Sequence, residues 1–229
     1  MIHCLTSSYA KDFKRASLLN ERLIKWDVTH HIFVEEKDIE KFKALEQRSK
    51  TMVHIKPDGG EGGLGRAGTM TRFPCYKIMQ TFIKEGDTYV QLDSDVIIEP
   101  EIIPQLACYP DEVKGFFNPD HPVHLERTAS IPPTEVRFCH MSGMSICAGW
   151  RVFQKSIPED EISMLAIIHY MMDEGFTPSE DVILSYLLQR SYFQLTNLFA
   201  SCDRAFNAKG DAEISKMKGE FGTTSFKES

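Results

Sequence analysis

From its second residue the chain alternates short apolar runs with amphipathic helical patterns, and that rhythm restricts the fold more than any other feature. Residues 2–5 form an apolar run that ends in the polar turn Thr6-Ser7-Ser8. A helical pattern follows, with Phe13, Ala16, Leu19 and Leu23 on one face. Residues 31–34 read as a second strand, 39–45 as a helix rich in Lys and Glu, and 52–55 as a third strand. A glycine-rich stretch over 56–71 interrupts the pattern. Cys75, Ile78, Met79 and Phe82 then recur at helical spacing, which predicts a helix over 72–84 with Gly86 as its stop. Residues 89–92 form a strand that runs into Asp93-Ser94-Asp95. Strands separated by helices are joined by crossovers, so the expected fold class is α/β, with a mostly parallel sheet covered on both faces.

The second half is less regular. A Pro-rich connection spans 119–133, two short strand-like runs lie at 145–148 and 151–153, and two helical patterns follow. Both helices have capping-box starts, Ser156-Ile-Pro-Glu159 and Thr177-Pro-Ser-Glu180. The first predicts Ile162, Leu165 and Ala166 facing inward and Gly175 as the stop; His169, seven residues after Ile162, reads as a core histidine. A length of 229 residues suffices for one domain with a sizeable core. The expected division is an N-terminal half, 1–100, a second half, 101–206, and a polar, mobile tail, 207–229.

Charge narrows the function classes. With 26 Lys+Arg against 33 Asp+Glu the net charge is −7, which argues against binding nucleic acid through bulk electrostatics. No apolar run approaches the ~20 residues of a membrane helix. Lys11, Asp12, Lys14 and Arg15 interrupt any secretory h-region, so no membrane span and a cytoplasmic location are expected. None of the six cysteines forms a C-x-x-C pair, which disfavours a zinc knuckle or a thioredoxin motif; Cys4 and Cys75 fall in apolar patterns and read as reduced core residues.

The most informative segment is 89–98, where Asp93 and Asp95 interrupt an apolar run. Buried unpaired carboxylates cost several kcal/mol, so both belong where the strand leaves the core, at the carboxyl edge of the sheet. Open α/β sheets bind ligands at that edge. Residues i and i+2 of extended chain point the same way, so the two acids can converge, and a cation between them relieves their repulsion. A hard divalent ion, Mg²⁺ or Mn²⁺, fits such oxygen ligands. The plain alternative is a solvated turn after a strand.

A strand ending in D-x-D after an N-terminal βαβ half resembles the GT-A glycosyltransferases. The opening Met1-Ile-His-Cys-Leu-Thr-Ser-Ser-Tyr9 with Lys11-Asp-Phe-Lys-Arg15 is similar to small bacterial and phage-encoded members, and so is the helix over 72–84 before the D-x-D strand. Ser145-Ile-Cys-Ala-Gly-Trp-Arg-Val-Phe153 resembles the glycine-containing strand beside the acceptor, and Ser179-Glu-Asp181 the acidic "xED" helix start. The resemblance implies a metal-dependent transfer of a sugar from a nucleotide-diphosphate sugar to a hydroxyl on a glycan, lipid, protein or modified DNA base. It implies that Thr6, Ser7, Ser8 and Tyr9 line the base and ribose, that Asp93 with Ser94 meets the ribose or the metal, and that Asp95 ligates the metal. Glu180 and Asp181 would face the acceptor, Asp181 as base, with Gly149 and Trp150 on the acceptor side. Many members add a late His ligand. No His follows His169 here, and the tail offers Asp203, Asp211, Lys216 and Lys218 instead.

Other residues have two readings each. Gly63-Leu-Gly-Arg-Ala-Gly68 is a literal G-x-G-x-x-G, but it starts too far beyond residue 55 for a dinucleotide fingerprint. It reads as a surface loop, or as a lid from which Arg66 reaches a phosphate. Lys77 is a basic residue near the nucleotide or part of a solvated helix face. Trp150 stacks on a sugar or packs in the core, and Glu180 is an acceptor-side acid or half of a capping box. A nucleotidyltransferase also pairs a Gly-rich loop with metal-binding acids, but places that loop after strand one, where Thr6-Ser7-Ser8 has no glycine. A non-catalytic nucleotide- or sugar-binding module is the remaining alternative.

Overall fold

A computed structural model describes residues 1–46, 50–56, 67–94, 96–98, 100–117, 141–173, 183–184, 187–188, 194–197 and 205–207. The N-terminal half runs β1 (Ile2–Ser7), α1 (Phe13–Lys25), β2 (Val28–Val34), α2 (Ile39–Lys43), β3 (Thr51–Ile55), α3 (Ala67–Phe82) and β4 (Thr88–Leu92). The second half contributes β5 (Val96–Ile98), β6 (Glu112–Phe117), β7 (Met141–Gly149), α4 (Trp150–Ser156), α5 (Glu161–Asp173), β8 (Gln194–Asn197) and β9 (Ala205–Asn207).

Seven strands form one sheet in the order β3-β2-β1-β4-β7-β6-β8, and β5 pairs with β9 in a small antiparallel ribbon. Within the large sheet the pairs β1–β2, β1–β4, β2–β3 and β6–β8 are parallel, while β4–β7 and β6–β7 are antiparallel. The mostly parallel α/β sheet read from the sequence is therefore present, with an antiparallel insertion from the second half.

Two layers of helix cover the sheet. On one face Leu19 and Leu23 of α1 pack with Cys4, Val28, Val90, Leu92 and Cys147. On the other, Phe73, Cys75, Tyr76, Met79 and Ile83 pack against Leu5, Phe33, Tyr89 and Ile146, joined by Val152 and Phe153 of α4 and Met164 and Ile168 of α5. That second cluster mixes residues from both halves, so they share one core.

Several expectations are corrected. Residues 151–153 are helical and belong to α4; the preceding strand, β7, is longer than expected and ends at Gly149. The first capping box is not used. Ser156 Oγ donates back to the Val152 carbonyl at 2.6 Å. Instead, Asp160 accepts the Ser163 backbone N–H at 2.7 Å and its hydroxyl at 3.1 Å, as an N-cap does for a donor in the first turn. Moving the start turns the helix: Met164 and Ile168 are buried, Ile162 is 80% exposed, and His169 is exposed. Finally, α3 begins at Ala67 and carries Pro74 inside it, where a start near Arg72 was expected. An internal proline costs about 3 kcal/mol, which the buried stripe Phe73, Tyr76 and Met79 on the sheet offsets.

Candidate functional site

Strand β1 has β2 on one side and β4 on the other, and the crossover helices α1 and α3 lie on opposite faces. The chain's winding therefore reverses at β1, the point at which open α/β sheets form a crevice for ligands beyond the carboxyl ends of their strands. Both polar segments singled out in the sequence emerge there: Ser7-Ser8-Tyr9 from β1 and Asp93-Ser94 from β4.

On the β1 side, the Ser8 backbone N–H continues the ladder to the Phe33 carbonyl at 2.9 Å. The Ser7 and Ser8 hydroxyls are buried and have no hydrogen-bond partner among the described residues. Tyr9 is 43% exposed and opens a depression of about 260 Å³ shared with Ala10, Lys11, Lys37 and Asp38. Asp38 holds the loop in place: its Oδ2 accepts the Ala10 backbone N–H at 3.0 Å. Lys41 Nζ donates to the Ala10 carbonyl at 2.8 Å. From the end of β3, Lys56 donates to the Tyr9 hydroxyl at 3.4 Å, with its ammonium 4.4 Å from the ring centre.

On the β4 side, Asp93 is partly exposed and Ser94 is buried. The buried guanidinium of Arg72, from α3, stands 3.7 Å from the Asp93 carboxylate. Helix α3 starts at the carboxyl edge and runs back beneath the sheet, which brings Arg72 level with the strand end. Below it lies a polar layer. Gln91 Oε1 accepts from the Tyr76 hydroxyl at 3.2 Å and the Tyr89 hydroxyl at 3.0 Å.

The sequence-predicted residues separate into four groups. Ser7, Ser8 and Tyr9 lie at or just beyond the carboxyl end of β1, and Asp93 and Ser94 just beyond that of the neighbouring β4. Thr6 and Lys77 do not present their polar ends there. Thr6 points to the α1 face, where its hydroxyl bonds His30 Nε2 at 2.9 Å. Lys77 donates to the Pro158 carbonyl at 3.3 Å, on the α4–α5 turn. Gly149 and Trp150 are a correction of place. Gly149 pairs with Thr88, the first residue of β4, so it lies at the amino edge, a strand's length from Asp93. Its smallness has a local cause: a Cβ there would come 1.9 Å from the Tyr109 carbonyl oxygen. Trp150 packs on the core, with Arg151 5.2 Å over its ring. Arg66, Asp95, Glu180 and Asp181 lie outside the described residues.

Sequence reasoning missed Asp38, Lys56, Arg72 and Gln91. Arg72 had a signal, since a charged residue on a buried helical stripe (72, 76, 79, 83) needs a partner. Gln91 had another: a polar residue inside an apolar strand, on the face that Asp93 shares.

A hard cation asks for oxygen ligands. The Asp93 carboxylate and the Ser7, Ser8 and Ser94 hydroxyls are such donors, so the strand end fits Mg²⁺ or Mn²⁺ in chemistry. Among the described residues no three His, Cys, Asp or Glu side chains form a complete set of ligands.

No protein-family model matches the chain, and no characterised protein matches its sequence. Solved structures do match in shape. The galactosyltransferase LgtC, solved with donor and acceptor sugar analogs, superposes with a TM-score of 0.53 at 9% identity, over 85% of this chain and 72% of that one. This chain has a GT-A fold. The glycosyltransferase GlyE from Streptococcus pneumoniae TIGR4 superposes with a TM-score of 0.52 at 10% identity, over 86% of this chain and 45% of GlyE. The 4-diphosphocytidyl-2C-methyl-D-erythritol synthase from Anaerococcus prevotii DSM 20548 gives 0.50 at 7% identity, over 97% and 96%. No helix among the described residues is long and apolar enough to cross a membrane.

Proposed function

We propose that the protein is a glycosyltransferase that moves a sugar from a nucleotide-diphosphate sugar to a hydroxyl acceptor. The observation that carries this is that Ser7-Ser8-Tyr9 and Asp93-Ser94 leave the carboxyl ends of the neighbouring strands β1 and β4, at the switch of the sheet, with Arg72 beside Asp93. The GT-A fold supports it. The depression beside Tyr9 takes the base: the ring offers a stacking face, and Asp38 offers a carboxylate to a base N–H. Lys56 and Lys37 bring positive charge near the phosphates.

Asp93 and Asp95 are the residues that would hold a divalent cation, Mn²⁺ or Mg²⁺. When bound, it supplies Lewis acidity to the departing diphosphate. Arg72, buried and fixed to α3, adds a preorganised positive charge to the same oxygens. Arg66 belongs to this set as a lid residue. Asp181 removes the acceptor proton, and Glu180 orients the start of its helix. The acceptor is a hydroxyl on a glycan, lipid, protein or modified DNA base.

A nucleotidyltransferase is the second reading. The superposition on the diphosphocytidyl synthase over nearly the whole of both chains favours it, while the glycine-free turn after β1 disfavours it.

A screen of nucleotide sugars with Mn²⁺ tests the two together. Thermal stabilisation with slow release of free sugar and nucleoside diphosphate supports glycosyl transfer, and Asp95→Ala abolishes both. Release of pyrophosphate from a nucleoside triphosphate and a sugar phosphate supports the second reading instead. No stabilisation by any nucleotide overturns both.

A further inference from the structure

Beneath the strand ends lies a buried polar residue that the base and phosphate contacts proposed above leave unused. Gln91 is 1% exposed, in the middle of an otherwise apolar strand. A buried amide is tolerated only when its groups are satisfied. Half of it is satisfied: the carbonyl oxygen takes both tyrosine hydroxyls, Tyr76 and Tyr89. The other half is not. Gln91 Nε2 has no partner among the described residues, and neither has Ser7 Oγ, which is also buried.

These two donors are neighbours. Gln91 pairs with Leu5 across the β1–β4 ladder. Two residues further along each strand, Ser7 and Asp93 fall on the same face as Leu5 and Gln91. Tyr89 lies two residues toward the amino edge, and Tyr76 lies one turn further down α3 than Arg72, so both hydroxyls reach Gln91 from the core side. The carboxamide is planar. With Oε1 held by the tyrosines, Nε2 is the half left for a further partner, on the sheet face that Ser7 and Asp93 share.

The set therefore combines donors (Gln91 Nε2, Ser7 Oγ, Arg72) with one acceptor, the Asp93 carboxylate. A phosphate oxygen can only accept, and Asp93 repels it. A sugar hydroxyl both donates and accepts, and fits the set in full. We propose that Gln91, with Ser7, is a specificity-determining residue that recognises a hydroxyl of the donor: the hydroxyl donates to Asp93 and accepts from Gln91 Nε2. The tyrosine clamp fixes the amide so that its NH₂ end stays turned to the ligand. This rests on the donor-site reading above. The shared chemistry is a sugar hydroxyl, and it has two sources, the ribose or the transferred sugar.

The test is calorimetric titration, in Mn²⁺, of wild type, Gln91→Met and Ser7→Ala. The probes are UDP, GDP, CDP and ADP, their 2′-deoxy and 3′-deoxy counterparts, and UDP-glucose, UDP-galactose and GDP-mannose. Removing one recognised hydrogen bond costs about tenfold in affinity. If the hydroxyl is the ribose's, both variants lose about tenfold on every ligand that carries it and nothing on the deoxy form that lacks it. If it belongs to the transferred sugar, the loss falls on the nucleotide sugars and spares the free diphosphates. Equal loss on every ligand in both variants indicates a purely structural role and overturns the inference, as does unchanged binding. Ser7→Ala, which removes only a hydroxyl, decides the matter if Gln91→Met does not fold. A wild type that binds no nucleotide overturns the donor-site reading along with this one.

Discussion

Single residues carry the chemistry, and their environments separate reacting groups from structural ones. A general base contributes about 10²–10⁴-fold, so Asp181→Asn is expected to lower transfer by that range while nucleotide affinity stays within about twofold. In the proposed site the donor is held at β1 and β4, and Asn keeps the shape and some of the capping capacity of Asp. Glu180→Gln is expected to be milder, because in the capping box read from the sequence Gln would keep the reach to the Thr177 amide. Steady-state transfer and donor titration of both variants check this; a dead Glu180→Gln beside an active Asp181→Asn assigns the roles the other way round. Gly149 belongs to the structural group. With the Tyr109 carbonyl 1.9 Å and the Pro110 carbonyl 2.6 Å from a would-be Cβ, Gly149→Ala forces backbone to move and is expected to cost about 3 kcal/mol. Urea unfolding reads that loss directly, and a variant as stable as wild type removes the steric explanation. The residues singled out from the sequence were those with a local reason to be polar: Ser7, Tyr9, Asp93. Asp38, Lys56 and Arg72 were not, because each acts across 28, 47 and 21 residues of chain respectively (Asp38 to Ala10, Lys56 to Tyr9, Arg72 to Asp93).

At the scale of elements, α1, α3 and β4 were legible because each buries one face, and the period of the apolar residues reports it. Strand β2 was only half legible. All seven of its residues are buried, yet three of them are Thr29, His30 and His31, which a hydropathy pattern reads as surface. The histidines are made tolerable by partners on neighbouring elements. His30 bonds Asn20 of α1 at 2.9 Å and Thr6 of β1 at 2.9 Å. His31 lies between His3 of β1 at 3.1 Å and His54 of β3 at 3.0 Å, and His3 Nε2 stands 3.6 Å from the Asp87 carboxylate. Directed toward Asp87, this chain keeps all three imidazoles neutral as Nε2–H tautomers, each donating to the next Nδ1. Burial pushes His30 down to about 3 and His31 down to about 2. In the unfolded chain both titrate near 6.5. The unfolded state therefore binds more protons in acid, and the stability fully present above about pH 6.5 is lost as pH falls. At pH 5.5, about one unit below the unfolded value, the pair together loses about 3 kcal/mol. Urea midpoints at pH 7.5 and 5.5 measure it, and His31→Gln flattens the dependence by about half. A stability that is level between those values contradicts the neutral ladder.

For the whole molecule, the sequence predicted one α/β domain with a nucleotide half and an acceptor half, but the way the halves join was hidden. The long β7 pairs antiparallel with β4, and β6 antiparallel with β7, and such pairings join residues far apart in the chain, so no local period announces them. The pairing has a consequence for any boundary drawn near residue 100. Through Thr88–Gly149 to Leu92–Ser145, β7 covers the whole edge of β4, and the Tyr89 ring stacks on Phe153 at 3.9 Å. Gln154 further ties α4 to the end of α3 through the Gln80 and Ile83 carbonyls, at 2.8 and 2.9 Å. A fragment of residues 1–100 thus retains the crevice residues of β1 and β4 but loses the cover of Tyr89, Met79 and Ile83, and it exposes an open strand edge that invites aggregation. Such a fragment is expected to show no cooperative thermal transition and to bind no nucleotide, whereas coexpression with residues 101–229 restores both. Differential scanning calorimetry of the fragment alone and of the coexpressed pair decides it. A fragment that melts sharply on its own and still binds a nucleoside diphosphate would show that the nucleotide half is an autonomous domain, and that the antiparallel strands serve the acceptor side alone.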